Sequence, residues 1–322
     1  MKTRTRNIAI LLTCVACASA ASAQPPQDSP TPAPAVRQQQ PRQPRQDQRG
    51  LQRRRVLAPG ETSEAFTHVA QLMQGGTFEL RNLTPGEVII TGGPGGRLVR
   101  IEATKRVRNV QEARARAMLD ALRIEVAERG GNVAVRTMPP MGVTGAAQNR
   151  PVAIVDYKIV LPPNANLVIR TGSGNLRVLN VFGDAFVIDT LSGDVVMQES
   201  RGRMLDLHTI AGNMQLLGIA AERAMLESTA GNIEYAGELQ PTGLYKFQTH
   251  RGNIRVTPSG TPGFDLDATS FRGVVRSDFV LRLLQGPPAR GQRAQKLRGK
   301  FGDAGAAVTA STFGGDIVII KP

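Results

Sequence analysis

Between residues 160 and 322 apolar side chains fall on alternate positions in short runs, and each run ends at one small signature, Thr/Ser-x-x-Gly-Asn/Asp-apolar. The signature glycines are Gly174, Gly193, Gly212, Gly231, Gly252 and Gly315. They are followed by Asn175, Asp194, Asn213, Asn232, Asn253 and Asp316, and a degenerate copy lies at Gly273-Val274. With Gly273 included, the steps between glycines are 19, 19, 19, 21, 21 and 42 residues, the last being twice 21. Three, five and seven positions before the glycine stand Thr190, Ile188 and Phe186, then Thr209, Leu207 and Leu205, then Thr249, Phe247 and Tyr245. Polar Asp189, His208, Glu227 and Gln248 lie between them. A period of two predicts a strand with one buried face. After the glycine the alternation resumes, as in Val195/Met197 and Ile254/Val256, and a second small turn follows at Gly183, Gly202, Gly218 or Gly237. Each unit is therefore strand, turn, strand, turn.

One such unit cannot bury its apolar face alone, whereas equivalent strands stacked at about 4.8 Å enclose a continuous core. The expected fold is all-β: a parallel β-solenoid of 19–21 residues per coil. Glycine allows a tight corner, and Asn or Asp beside it can bond to neighbouring backbone. The six signature glycines and their Asn/Asp partners are thus expected to be corner residues. The earlier chain repeats more loosely, with outlying corners at Pro85-Gly86-Glu87 and Gly131-Asn132. Residues 109–118 predict a short helix, with Asn109 as cap, an early Glu112 and neither Gly nor Pro. Residues 60–322 read as one solenoid, with irregular, larger coils over 60–150 and regular repeats over 151–322. A loop is expected at Gln285-Gly286-Pro287-Pro288-Ala289-Arg290-Gly291, followed by basic Arg293, Lys296, Arg298 and Lys300. That cluster could receive an anion or merely decorate an irregular coil.

The start of the chain has a different texture. Lys2, Arg4 and Arg6 precede an apolar stretch from Ile8 to Ala18 and the small residues Ala21-Ser22-Ala23. This is the order of a secretory signal (1–23) cleaved before Gln24; the run is too short for a transmembrane anchor. No later segment approaches spanning length. Both cysteines, Cys14 and Cys17, fall inside the signal, so thiol chemistry and cysteine metal sites are excluded from the mature chain. Residues 24–59 are rich in Pro, Gln and Arg, with too little apolar surface to offset the entropy of ordering, and predict a disordered linker. The net charge of +14 includes +3 from the signal and +5 from residues 24–55, leaving +6 for the remainder. Much of the basicity is a property of the tail, which could act as an electrostatic arm or as a solvated spacer.

The turn at Pro162-Pro163, the following Leu167-Val168-Ile169-Arg170-Thr171-Gly172-Ser173-Gly174-Asn175, the recurring Thr-x-Ser/Ala-Gly-Asp/Asn series and the closing Gly315-Asp316-Ile317-Val318-Ile319 resemble the exported bacterial "putative adhesin" family. That family is a domain of unknown function built from β-strand repeats. The resemblance covers residues 77–322. It implies a periplasmic, surface or secreted location and a non-enzymatic role.

No catalytic motif or cofactor signature is evident. Gly92-Gly93-Pro94-Gly95-Gly96 lacks the Lys-Ser/Thr and helix start of a phosphate cradle. The candidate surface is the position four before each corner: Arg170, Asp189, His208 and Glu227 on successive coils, then Gln248, with Asp206 on the same face. It can be an alternating-charge ladder, a metal site, or a His flanked by acids for general acid–base work. The leading expectation is a structural or adhesin-like interaction module whose partner is an anionic envelope polymer, a lipid surface or another envelope protein. The alternative is a carbohydrate-active solenoid enzyme acting on an anionic polysaccharide. Nucleic acid is disfavoured: the chain has no Trp and 3 Tyr, hence no aromatic platform for bases.

Overall fold

In the strand Phe182–Ser192, Phe186, Ile188 and Thr190 are buried while Val187 and Asp189 between them are partly exposed, as the period of two requires. The computed structural model describes residues 61–139, 152–260, 263–284, 294–303 and 305–322. The signal, the 24–59 linker and the Gln285-to-Gly291 loop lie outside the described residues. All described residues belong to one unit, Arg55–Pro322. Among them are 21 strands, joined in a single mixed sheet, and one helix.

Sequence repeat and sheet register coincide. Val195 pairs in parallel with Leu176 on one side and Met214 on the other, each one repeat away. Inward-facing residues consequently stack by type. One column runs Leu80, Ile169, Ile188, Leu207, Leu226, Phe247, Ala310, Ala268, and every member is fully buried. The large Phe247 is followed by two alanines, which keeps the column's volume within what the interior can hold.

Three features depart from the expected fold, and the first is the order of the rungs. The strand Ala306–Gly314 pairs in parallel with Ile233–Arg251 on one side and Phe264–Ser270 on the other. Ile317–Ile319 lies likewise between Ile254–Ser259 and Val275–Ser277. The rung carrying Gly315, last in sequence, is inserted between the Gly252 and Gly273 rungs, so the 42-residue step is not two coils laid in succession. The opposite end has the same arrangement: Thr77–Pro85 lies between Asn132–Met138 and Asn166–Ser173, and Val88–Gly92 lies between Val152–Leu161 and Leu176–Leu179.

The second correction is that the sheet is mixed, where a wholly parallel one was expected. Gln295–Phe301 runs antiparallel along Phe264–Ser270, and the two-residue strand Arg282–Leu283 runs antiparallel to it. At the other end Thr62–Gln71, Leu98–Arg108 and Val152–Leu161 are antiparallel neighbours, as are Arg123–Arg129 and Asn132–Met138. A stack of parallel strands ends in a row of unpaired backbone groups, and folding hairpins over those rows limits edge-to-edge association. Gly131-Asn132 belongs to such a hairpin and is not a corner: Gly130 and Gly131, at φ 58° and 79°, form its two-residue turn. Gly86 does join the corner column, since the Gly86 N–H donates to the Ser173 carbonyl at 3.0 Å.

Third, the helix spans Glu112–Ala121, not 109–118, and Gln111 precedes it without a side-chain cap. Asn109 has φ 63°, a left-handed conformation that turns the chain at the end of the Leu98–Arg108 strand and so cannot serve as the helix cap. The helix buries Ala115, Met118 and Leu119.

Candidate functional site

The corners consume their own polar groups. Asn175 Oδ1 accepts from the Asp194 N–H at 3.1 Å, Asp194 Oδ1 from Asn213 at 2.8 Å, and Asn213 Oδ1 from Asn232 at 3.0 Å. Asn232 Oδ1 accepts from Asn253 at 2.8 Å, Asn253 Oδ1 from Asp316 at 2.8 Å, and Asp316 Oδ1 from Val274 at 2.8 Å. Each side chain thus satisfies a backbone donor of the next rung, and the ladder passes from Asn253 to Asp316 in spatial rather than sequence order. The Thr249 and Thr312 hydroxyls donate to the Gly231 and Gly252 carbonyls, both at 3.0 Å. At Gly174, Gly193, Gly212, Gly231, Gly252 and Gly315 a Cβ would collide with the carbonyl oxygen of the glycine one rung before. Backbone proximity, rather than φ alone, requires glycine there.

On the outer face, register places the predicted column side by side: Arg170 against Asp189, Asp189 against His208, His208 against Glu227, Glu227 against Gln248. Arg170 Nε donates to Asp189 Oδ2 at 3.4 Å. His208 Nε2 lies 2.9 Å from Asp206 Oδ1, a contact without hydrogen-bond alignment, and its Nδ1 lies 3.5 Å from Glu227 Oε2. Lys246 Nζ donates to Glu227 Oε1 at 2.6 Å. Both imidazole nitrogens therefore face carboxylates of the protein. Among the described residues no three His, Cys, Asp or Glu side chains form a metal-binding group.

The sequence reading missed the column two positions further on. Leu83, Leu191, Ile210 and Phe271 are exposed there, Leu191 at 56% and Ile210 at 55%. His250 stacks on Phe313 at 4.9 Å between centroids, and Phe313 on Phe271 at 4.9 Å. A signal was present: Leu191 follows buried Thr190 and Ile210 follows buried Thr209, so an apolar residue occupies the outward phase of an alternating strand. The charged column and this apolar column form the walls of an open groove of about 740 Å³, floored by Thr171, Thr190, Thr209, Ser228, Thr249 and Thr312.

The basic cluster near the C-terminus is largely engaged where it is described. Lys296 and Arg298 lie 3.5 and 3.6 Å from the Asp267 carboxylate, and Lys300 lies 3.9 Å from Asp265; Arg293 lies outside the described residues. A buried ionic group near the chain's other end was not anticipated. Arg106 contacts Glu61 at 3.1 Å and also Asp156, while Arg108 Nε reaches Glu61 at 3.0 Å. Burial raises the Glu61 pKa, but the two guanidiniums outweigh it and hold the carboxyl below its ordinary value of 4.5. Tyr157, bonded to Thr137, is pushed up to about 12 by burial. Tyr235 and Tyr245 are raised for the same first reason, so all three remain neutral.

A repeating β corner with a glycine column and an Asx ladder defines the class. The family model described as Toastrack DUF4097 matches residues 120–320, and the chain belongs to that family. Among solved structures it is similar to a "putative cell adhesion protein" from Clostridium sporogenes ATCC 15579, at 11% identity, TM-score 0.38, covering 81% of this chain and 100% of that one. It is also similar to a "putative adhesin" from Bacteroides fragilis NCTC 9343, at 11% identity, TM-score 0.37, covering 80% and 97%. A "putative lipid binding protein" from Parabacteroides distasonis ATCC 8503 matches at 10% identity, TM-score 0.31, covering 80% and 96%. A search of curated proteins finds no match. Among the described residues no helix is long and apolar enough to cross a membrane.

Proposed function

We propose that this chain is an exported, non-catalytic interaction module of the cell envelope. Its repeats stack as solenoid-like parallel coils between antiparallel end caps, and residues 1–23 act as a signal removed before Gln24. One observation carries the reading. The groove has one wall of exposed aliphatic and aromatic side chains and another of charged ones, with the ring nitrogens of His208 facing Asp206 and Glu227. Exposed apolar rows beside charged rows are what a recognition surface needs. A hydrolytic site would need, beside a base, a second group aimed at the reacting atom. Candidate partners are an anionic envelope polymer, a lipid surface or another envelope protein, and residues 24–59 would serve as a spacer or electrostatic arm.

The test is capture from native envelope fractions by the mature chain, residues 24–322, beside an Ile210→Glu variant that folds equally well. The reading expects specific capture or self-association that the variant loses. Equal behaviour of the two proteins, or turnover of an anionic polysaccharide abolished by Asp189→Ala or His208→Ala, would overturn it.

A further inference from the structure

The grooved face has a property that narrows its partner. Take the rungs in spatial order from Gly86 to Gly252 and place a two-fold axis parallel to the strands, midway between the Gly193 and Gly212 rungs. A second copy then lies on the face with its rungs in reverse order. In the charged column Arg170 meets Glu227 of the other copy, and Asp189 meets His208. In the apolar column Leu191 meets Ile210, the two most exposed aliphatic residues of this face, at its centre. In the next column, two positions before the charged one, Glu79 meets Lys246 and Val168 meets Met225. The same operation sets Val187 against Asp206, whose carboxylate already lies beside His208.

Arg170 and Glu227, and Glu79 and Lys246, meet as opposite charges, Leu191 and Ile210, and Val168 and Met225, meet as apolar pairs, and Val187 against Asp206 is the mismatch; complementarity of this kind under a single operation is what an isologous interface requires. From these observations we propose that the face pairs with a second copy of this chain, forming an antiparallel dimer. Six rungs at about 4.8 Å and six residues at about 3.3 Å give about 600 Å² per partner, near the lower end for specific interfaces. An area of that size belongs with weak, transient interfaces, and the proposal sets dissociation in the micromolar range. This inference rests on the reading of the face as an interaction surface and names its partner.

The experiment is sedimentation equilibrium of the mature chain from about 1 to 100 µM, a range that brackets micromolar dissociation. The proposal expects a monomer–dimer equilibrium, and a monomer for Ile210→Glu. Arg170→Glu alone should weaken association by about tenfold or more, and adding Glu227→Arg should restore it to within about threefold. The double variant does not regenerate the within-chain contacts of Arg170 with Asp189 or of Glu227 with Lys246, so rescue reports the contact between copies. Both positions are partly exposed, and thermal unfolding verifies that each variant folds. A wild-type chain that stays monomeric throughout, or a double variant as weak as the single, overturns the dimer. If that monomer binds polygalacturonate or phosphatidylglycerol vesicles and Ile210→Glu abolishes binding, the interaction reading survives with another partner. If it binds neither, and captures nothing from envelope fractions, both fall.

Discussion

Gly231 lies so close over Gly212 that a Cβ on Gly231 would strike the Gly212 carbonyl oxygen. Gly231 is not among the positive-φ glycines, so a side chain is excluded there by space alone. Gly231→Ala must therefore open the corner between two rungs, at a cost of about 3 kcal/mol. Gly75, at φ 71° with nothing near its would-be Cβ, provides the control: Gly75→Ala should cost about 1 kcal/mol, the conformational penalty alone. Chemical denaturation of both variants measures the difference, and equal costs would contradict the packing explanation.

The Asx ladder separates two functions of one side chain. Asn232 accepts from the Asn253 N–H at 2.8 Å and donates to Asn213 Oδ1 at 3.1 Å. Asn232→Ala loses both bonds and should cost about 1–2 kcal/mol, whereas Asn232→Asp keeps the acceptor and should cost about half as much. The comparison requires equilibrium unfolding near pH 7, where the aspartate is ionised.

Rung order has its own test. If coils stacked in sequence order, Ile317 would lie on a terminal rung; instead it is buried between Ile254 and Val275. Ile317→Ala should therefore cost about 3 kcal/mol and match Ile254→Ala to within about 1 kcal/mol. A markedly smaller loss at Ile317 would return it to an edge.

Acid stability depends on the Glu61 group. Its carboxyl titrates lower in the folded chain than its ordinary 4.5, so its contribution is complete above that value and is lost as pH falls through the lower folded one. The thermal midpoint of the wild type should be insensitive to this group between pH 7 and about 5 and should fall on further acidification. Glu61→Gln should be less stable at pH 7 by about 2 kcal/mol and show a shallower acid decline. Parallel curves for the two proteins would show that Glu61 is not responsible.

The regular rungs were legible because repeat step and register are the same quantity: once Thr190, Thr209 and Ser228 are aligned by their glycines, their strands are neighbours. The charged column followed from that alignment. Rung order did not, because a spacing of 42 residues fits either two successive coils or one excursion that returns, and both give alternating strands. The helix start was misplaced because Asn109 has a side chain suited to capping but is used at a left-handed turn. The Leu191–Ile210 column was hidden by treating Thr as the end of each strand's buried face, which drew attention away from the outward residue after it. The ionic group of Glu61, Arg106 and Asp156 joins two strands and the residue before a third, distant in sequence, and nothing in the spacing of one of them reveals the others.

The central claim is that the face bearing Leu191, His208 and Ile210 is the surface this protein uses. Hydroxyl-radical footprinting of the mature chain reads side-chain exposure directly, first dilute, then concentrated, then with native envelope fractions. The account predicts that Leu83, Leu191, Ile210 and Met225 lose reactivity on association while Met73 and Val280, exposed elsewhere, keep theirs. Unchanged reactivity of the four under every condition, or protection confined to Met73 and Val280, would contradict it.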